Sequence, residues 1–198
     1  MKDVQAKWDK IYSCQGAEKK IEPAYVLRKH THLLPEQGDA LDIACGRGGN
    51  ALFLAGLGFK TLAWDLSPIA IEKLNRIAAG LELNLMAEAK DVQMAVFPQQ
   101  CFDIIAVSRF LDRTINHLIV SALKPGGLLF YQTFLKAKDP NIGPSNPDFL
   151  LAENELLSMF SELKLLVYYE DLRAGDESCG FRNEAYLIGQ KPLDGVRL

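Results

Sequence analysis

Asp42, Gly46, Gly48, Asp65 and Arg109 are the residues whose types and spacing could do chemistry. Asp42 stands inside an apolar run, Ala40-Leu41-Asp42-Ile43-Ala44-Cys45, which breaks into Gly46-Arg47-Gly48-Gly49-Asn50-Ala51 and resumes as the helical pattern Leu52, Phe53, Leu54, Leu57. That is a strand, a tight loop and a helix. At the carboxyl end of a strand in an open α/β sheet, such a loop offers backbone N–H groups and a helix N-terminus to a nucleotide-like ligand. Gly46-x-Gly48-x-x-Ala51 also meets the dinucleotide fingerprint, so a nicotinamide enzyme is one reading; a plain strand-to-helix turn is the simpler one. Asp65 ends the next apolar run, Leu62-Ala63-Trp64-Asp65-Leu66-Ser67-Pro68. A carboxylate there brings two acceptors to the two hydroxyls of a ribose. The competing role, N-cap of the helix opening near Pro68, suits Ser67 better, because Ser67 directly precedes the proline. Arg109 follows the apolar run Phe102 to Ser108 and could orient an oxyanion or carboxylate through a bidentate fork. Its simpler reading is a surface arginine paired with Asp112 or with an acid of a later loop. His117 reads as a helix residue facing solvent or core, and His30 and His32 fall in an N-terminal helix. Tyr12 and Tyr131 each join an apolar ring to a polar tip; Tyr12, carried over the site by the N-terminal segment, is the better candidate to line it.

The elements that must position these residues alternate. Strands are expected at Ala40–Cys45, Lys60–Asp65, Glu82–Met86, Phe102–Ser108, Gly127–Phe134, Leu163–Glu170 and Glu184–Gly189, with helices near 49–57, 68–79, 113–122 and 153–161. That alternation implies right-handed crossovers and a parallel sheet. Residues 171–183 hold too little helical pattern for a crossover, so the last two strands should pair antiparallel at one edge. Ahead of the first strand, Val4, Trp8, Ile11 and Tyr12, then Tyr25, Val26 and Leu27, give an amphipathic helical segment in two parts with a break near Gly16. It must cover either a sheet face or the mouth of the crevice, and Trp8 is read as packing on the core. Residues 136–148 carry three prolines and a glycine. A loop running from Leu135 to Asp148, directly after a central strand, reads as a functional lid.

At 198 residues the chain fits one domain, 1–198, with 1–38 as a helical cap. Hydrophobic content of 48% and charged content of 24% describe a globular domain in water. A net charge of −3 argues against a nucleic-acid partner, which needs clustered Lys and Arg, and favours a small-molecule substrate. Cys14, Cys45, Cys101 and Cys179 lack CxxC spacing and read as reduced thiols, with no metal implied. Neither a signal-peptide core nor a long apolar span is present, so the expectation is a cytoplasmic monomer or homodimer with no membrane partner.

Over about residues 38 to 135 the chain resembles the class I S-adenosylmethionine (SAM)-dependent methyltransferases. Leu41-Asp42-Ile43-Ala44-Cys45-Gly46-Arg47-Gly48 is similar to their first motif, D/E-x-G-x-G-x-G, with Ala44 at the first glycine. Asp65 matches their ribose-binding acid. Asp91-Val92, followed by Phe102-Asp103-Ile104-Ile105, resembles the pair that frames the adenine and the strand after it. Leu123-Lys124-Pro125-Gly126-Gly127-Leu128-Leu129 looks like their turn into the fifth strand, where Pro then Gly meets the positive φ of a type II turn. Within that superfamily, Gly46 to Ala51, Phe53-Leu54-Ala55-x-Leu57-Gly58 and the helix with Trp8 and Tyr12 resemble the small bacterial TehB-like, tellurite-resistance type methyltransferases.

The resemblance implies an α/β fold: a Rossmann-like three-layer sandwich whose seven-stranded, mostly parallel sheet has the order 3-2-1-4-5-7-6 with an antiparallel terminal strand. It implies that Asp42 and the backbone of Ala44, Cys45, Gly46 and Gly48 hold the amino-acid end of SAM, and that Asp65, with Leu66 beside it, holds the ribose. Asp91 and Val92 would take the adenine, and Ser108 would face the sulfonium. On the acceptor side the residues themselves, rather than the resemblance, nominate Arg109 and Tyr12 as catalytic. The implied reaction is in-line methyl transfer to a small thiol, oxyanion or metalloid acceptor, leaving S-adenosyl-L-homocysteine. Enzymes that N-methylate adenine or glutamine carry N/D-P-P-Y/F after the fourth strand; Ser108-Arg109-Phe110-Leu111-Asp112-Arg113 stands here instead. Two rivals are an NAD(P)-dependent oxidoreductase and a non-catalytic SAM-binding regulator with a filled acceptor pocket. Against the first stand the Leu-Lys-Pro-Gly-Gly turn, the expected lack of a Tyr-x-x-x-Lys proton-relay pair, and Asp42, which would repel a pyrophosphate but attract the ammonium of a methionine moiety.

Overall fold

The computed structural model describes residues 2–14 and 21–193; the expected break at Gly16 lies outside them. The apolar runs form β1 (Asp39–Ile43), β2 (Lys60–Asp65), β3 (Leu85–Ala89), β4 (Phe102–Ser108), β5 (Leu123–Phe134), β6 (Lys164–Tyr169) and β7 (Glu184–Gln190). They make one sheet of order β3-β2-β1-β4-β5-β7-β6. Strands β1 to β5 pair in parallel, whereas β7 runs antiparallel to both β5 and β6. The short 171–183 connection thus gives the antiparallel edge it requires. Between β1 and β4 the order reverses, and the carboxyl ends of these two strands open the crevice typical of doubly wound sheets.

Helices α1 (Lys2–Cys14), α2 (Tyr25–Lys29), α3 (Gly49–Gly56), α4 (Pro68–Gly80), α5 (Asn116–Ala122) and α6 (Glu155–Met159) surround the sheet. Alternation along the strands sends Leu41, Ile43, Ile105, Val107, Leu129 and Tyr131 to the face under α5 and α6. The opposite residues, among them Ala40, Ile104, Ala106, Phe130 and Ile188, pack on Val26, Leu27 and Leu54 of α2 and α3. Burial of one such Leu or Ile contributes about 1.5–3 kcal/mol. Among the described residues no helix is long and apolar enough to cross a membrane.

Local chemistry accounts for several boundaries. Ser67 caps α4, accepting from Ala70 N at 3.3 Å, with Pro68 in the first turn. Gly126 has φ +81, the positive value that Pro125-Gly126 predicts for the turn into the main part of β5. At the amino end of the sheet, Lys124 Nζ bridges Asp39 (3.0 Å) and Asp103 (2.7 Å), a structural use of two motif residues.

Three expectations need correction. The third strand is Leu85–Ala89, not Glu82–Met86, because Leu81 closes α4 and Glu82 takes φ +52. Asn75 of α4 then grips both backbone groups of Ala87 at 2.9 Å, which pins the register. The helix expected over 113–122 opens with a 3-10 turn, Arg113–Ile115, capped by Asp112. Trp8 does not pack on the core: it is 40% exposed and stacks on Tyr12, because α1 packs against α4 rather than against the sheet.

The 135–148 loop is anchored at both ends. Asn183 Oδ1 accepts from Asp139 N at 2.7 Å, and Arg113 donates to the carbonyls of Asp148 (2.7 Å) and Leu150 (3.1 Å) while gripping Glu155. Gly49 marks another close approach. A Cβ there would stand 2.1 Å from the carbonyl oxygen of Glu22, so the chain ahead of α2 lies directly on the start of α3. Gly49→Ala is expected to destabilise the protein by about 1–3 kcal/mol through overpacking, seen as a lower midpoint in a denaturant titration.

Candidate functional site

The loop from β1 to α3 turns sharply, and Ala44 (φ +53), Gly46 (φ +54) and Gly48 (φ +80) all take left-handed backbone. At Ala44 this conformation is unfavourable for an L side chain, the kind of strain that collects at ligand sites. Asp42 lies beneath the loop, fully buried. Its Oδ1 accepts from Asn50 Nδ2 (3.1 Å) and its Oδ2 from Ala51 N (3.1 Å), at the N-terminus of α3. Burial pushes the Asp42 carboxyl up to about 7, although those two hydrogen bonds pull the other way. Burial likewise raises the Cys45 thiol. Asn50 Nδ2 also reaches Ser108 Oγ at 3.1 Å, and its Oδ1 accepts from Ala24 N at 2.8 Å. One amide therefore ties together Asp42, the end of β4 and the chain leading into α2.

Asp65, at the end of β2, accepts from Gly46 N (2.8 Å) and Ser67 N (2.9 Å), one bond to each oxygen. It is largely buried, and burial raises its pKa. Leu66 beside it is half-buried. Asp91, half-buried in the turn after β3, accepts from Gln93 N at 3.0 Å; Val92 is buried against Trp64 and Phe97 in the core.

Helix α1 lies over the mouth of this crevice. Asp9 accepts a short hydrogen bond from Ser67 Oγ, and Lys73 of α4 donates to the Tyr12 carbonyl at 2.5 Å. The Tyr12 hydroxyl rests on the glycine loop, 2.8 Å from where a Cβ on Gly46 would stand. Burial, then the nearby Asp65, raise the Tyr12 pKa, so the phenol stays protonated.

Arg109 sits just past β4 with φ +53, and its N–H donates to Gln132 O at 2.8 Å. It pairs with neither Asp112 nor an acid of the loop. Its Nε donates to Glu184 Oε1 at 3.0 Å, and its guanidinium lies 5.9 Å from the centre of the Phe134 ring. Nη1 and Nη2 bond to no protein atom among the described residues, and the side chain is 66% exposed. Glu184 is held in turn by Gln132, and Gln132 by Val26 N. Tyr131 is remote from this group: it is buried in the opposite core and donates to Phe110 O at 2.9 Å. His117 is exposed on α5, and His30 closes α2. Tyr25 and Lys29 have the Tyr-x-x-x-Lys spacing of a nicotinamide proton relay, but they lie on α2 in an aromatic cluster. Tyr25 stacks on Phe181, and the Lys29 ammonium is 3.4 Å from Tyr186 Oη.

The sequence reading missed Asn50, Gln132 and Glu184. A signal existed for two of them. Gln132 interrupts the apolar run Leu128-Leu129-Phe130-Tyr131, and Glu184 opens Ala185-Tyr186-Leu187-Ile188. A polar side chain inside a buried strand has to find partners.

The family model described as tellurite resistance protein TehB matches residues 26–179. The chain belongs to the TehB family. A probable S-adenosyl-L-methionine-dependent methyltransferase TehB from Haemophilus influenzae is 30% identical over 139 residues, covering 67% of this chain and 48% of that protein. Hemagglutinin 1 of Eikenella corrodens is 31% identical over 138 residues, 66% of this chain and 45% of its own length. The chain thus spans about half the length of the curated relatives it matches. The crystal structure of TehB from Haemophilus influenzae superposes with a TM-score of 0.69 at 24% identity, over 93% of this chain and 67% of that one. A structure from work on conversion of a disulfide bond into a thioacetal group during echinomycin biosynthesis gives 0.71 at 21% identity, over 97% and 94%. Both solved structures are under 25% identical, and the likeness shows that the chain shares their Rossmann-like fold.

Proposed function

We propose that this TehB-family chain transfers a methyl group from SAM to a small acceptor that carries an oxyanion or carboxylate. The observation that carries this reading is the arrangement of two buried acids around a left-handed glycine loop, with an open arginine fork at the next strand end. The residues fit SAM. The left-handed backbone at Ala44, Gly46 and Gly48 turns the loop tightly beneath the Tyr12 hydroxyl, and Asp65 has lone pairs to spare for two ribose hydroxyls. Asp42, behind Asn50, supplies the negative field that suits an ammonium. Asp91 and Val92 bracket the place for an adenine, Leu66 stands beside the ribose, and Ser108, fixed by Asn50, faces the centre of the crevice.

When bound, SAM supplies an electrophilic sulfonium methyl. What the protein contributes is position and dryness. Tyr12 and α1 cover the loop and exclude water, while Arg109 holds the acceptor's anion in line. Orienting the two partners can supply about 7–11 kcal/mol of the barrier. A soft nucleophile needs no general base, and none is assigned. Exposed thiols at Cys14, Cys101 and Cys179 support a reducing, cytoplasmic setting.

Because Asp42 must be ionised to attract the ammonium, SAM affinity is expected to rise with pH up to about 7 and to fall about tenfold per unit below it. Calorimetric titrations at about pH 5 to 7 test this; a flat profile would detach Asp42 from cofactor binding. The activity itself is tested with methyl-labelled SAM and a panel of thiols, selenite, tellurite and small carboxylates. Transfer to an anionic member supports the reading, and transfer to none supports the regulatory rival.

A further inference from the structure

The polar chain that ends at Arg109 has a fixed direction. Val26 N–H can only donate, and it donates to Gln132 Oε1 at 2.9 Å. Gln132 must therefore turn its amino group to Glu184, whose Oε2 accepts at 2.5 Å. That leaves Glu184 Oε1 for Arg109 Nε, at 3.0 Å. Gln132 and Glu184 are 2% and 6% exposed, so no bulk water can replace a lost partner. Residue 184 has to accept at both oxygens, which a carboxylate does and an amide cannot.

We propose that Glu184, oriented by Gln132, is a positioning residue: it holds Arg109 by Nε so that Nη1 and Nη2 form an open two-pronged site for a carboxylate or comparable oxyanion on the acceptor. Three further observations agree. Arg109 keeps a left-handed backbone that only a determined surrounding sustains. The Phe134 ring lies beside the guanidinium, with Cζ 5.9 Å from its centre, and gives the side chain a second point of support. The engaged atom is Nε, so the bidentate edge made by Nη1 and Nη2 is the part left over. The proposal rests on Arg109 being the acceptor anchor, and it extends the site to β7 and, through Val26, to α2.

The hydrogen-bond direction supplies a test. Glu184→Gln sets a donor against a donor at one end of the residue, either at Gln132 or at Arg109. Exchanging the pair, Gln132→Glu with Glu184→Gln, restores all three bonds: Val26 N–H to Glu, Glu from the new Gln, and the new Gln from Arg109 Nε–H. The readout is the Arg109 Nε–H resonance in a nitrogen-15 spectrum of the full chain, identified by its loss in Arg109→Lys. Hydrogen exchange at this group should be at least about tenfold faster in Glu184→Gln and return to near the wild-type rate in the exchanged pair. Acetate or inorganic phosphate, titrated at constant ionic strength, should shift the wild-type signal and bind at least about tenfold more weakly to Glu184→Gln. If Glu184→Gln does not fold, the exchanged pair, in which every donor meets an acceptor, carries the comparison. Unchanged exchange in Glu184→Gln, or an exchanged pair that folds without restoring the signal, overturns the positioning role. A slow Nε–H that neither probe moves overturns the anion site, and with it Arg109 as anchor, while leaving the cofactor reading standing.

Discussion

Asp65→Ala is expected to weaken SAM binding by two or more powers of ten. Each oxygen of Asp65 already accepts one backbone N–H, from Gly46 and from Ser67, and a ribose would use the remaining lone pairs. Hydrogen bonds to a charged acceptor contribute about 1.5–3 kcal/mol each, so losing a pair costs about 3–6 kcal/mol of binding. The same substitution strips partners from two loop N–H groups, and the ligand-free protein should lose about 1–3 kcal/mol of stability for each group left buried and unpaired. Calorimetry with S-adenosyl-L-homocysteine reads the first effect and denaturant unfolding the second. A destabilised variant that still binds with wild-type affinity would confine Asp65 to holding the loop.

Arg109→Ala should do the reverse, leaving cofactor affinity unchanged and removing turnover. A hydrogen bond to a charged group contributes about 1.5–3 kcal/mol, so kcat/KM for the acceptor should fall by about one to two powers of ten. Alanine keeps the Cβ and hence the strain of φ +53, so the loss isolates the guanidinium. Steady-state kinetics with labelled SAM at saturation make the measurement. Loss of SAM binding with normal turnover at saturating SAM would sink the anchoring role.

Much of this was legible in the chain. The runs around Asp42 and Asp65 carry their own punctuation: glycines after one, Ser67-Pro68 after the other, and the structure gives the cap of α4 to Ser67, as that punctuation implies. Where local alternation competed with a helix end the reading failed: Leu81-Glu82-Leu83-Asn84-Leu85 has the period of a strand, yet α4 needs its first residues to stop. An amphipathic pattern says that α1 has an apolar side but not what that side meets, hence the misplacement of Trp8. Arg109's partner was hidden for a different reason. Glu184 lies 75 residues further on, and only the antiparallel return of β7 beside β5 brings the two together. Asn50 could not be separated from an ordinary turn residue without seeing Ser108, Asp42 and Ala24 converge on its amide.

The central claim is that the loop from Asp42 to Ala51, with Asp65, is built for SAM. A calorimetric titration of the wild-type chain near pH 8 tests it most directly, with SAM and S-adenosyl-L-homocysteine set beside NAD(H) and NADP(H). Saturable one-site binding of the first pair and none of the second is the result predicted. Binding of a nicotinamide dinucleotide, or no binding of either sulfur compound, would contradict it.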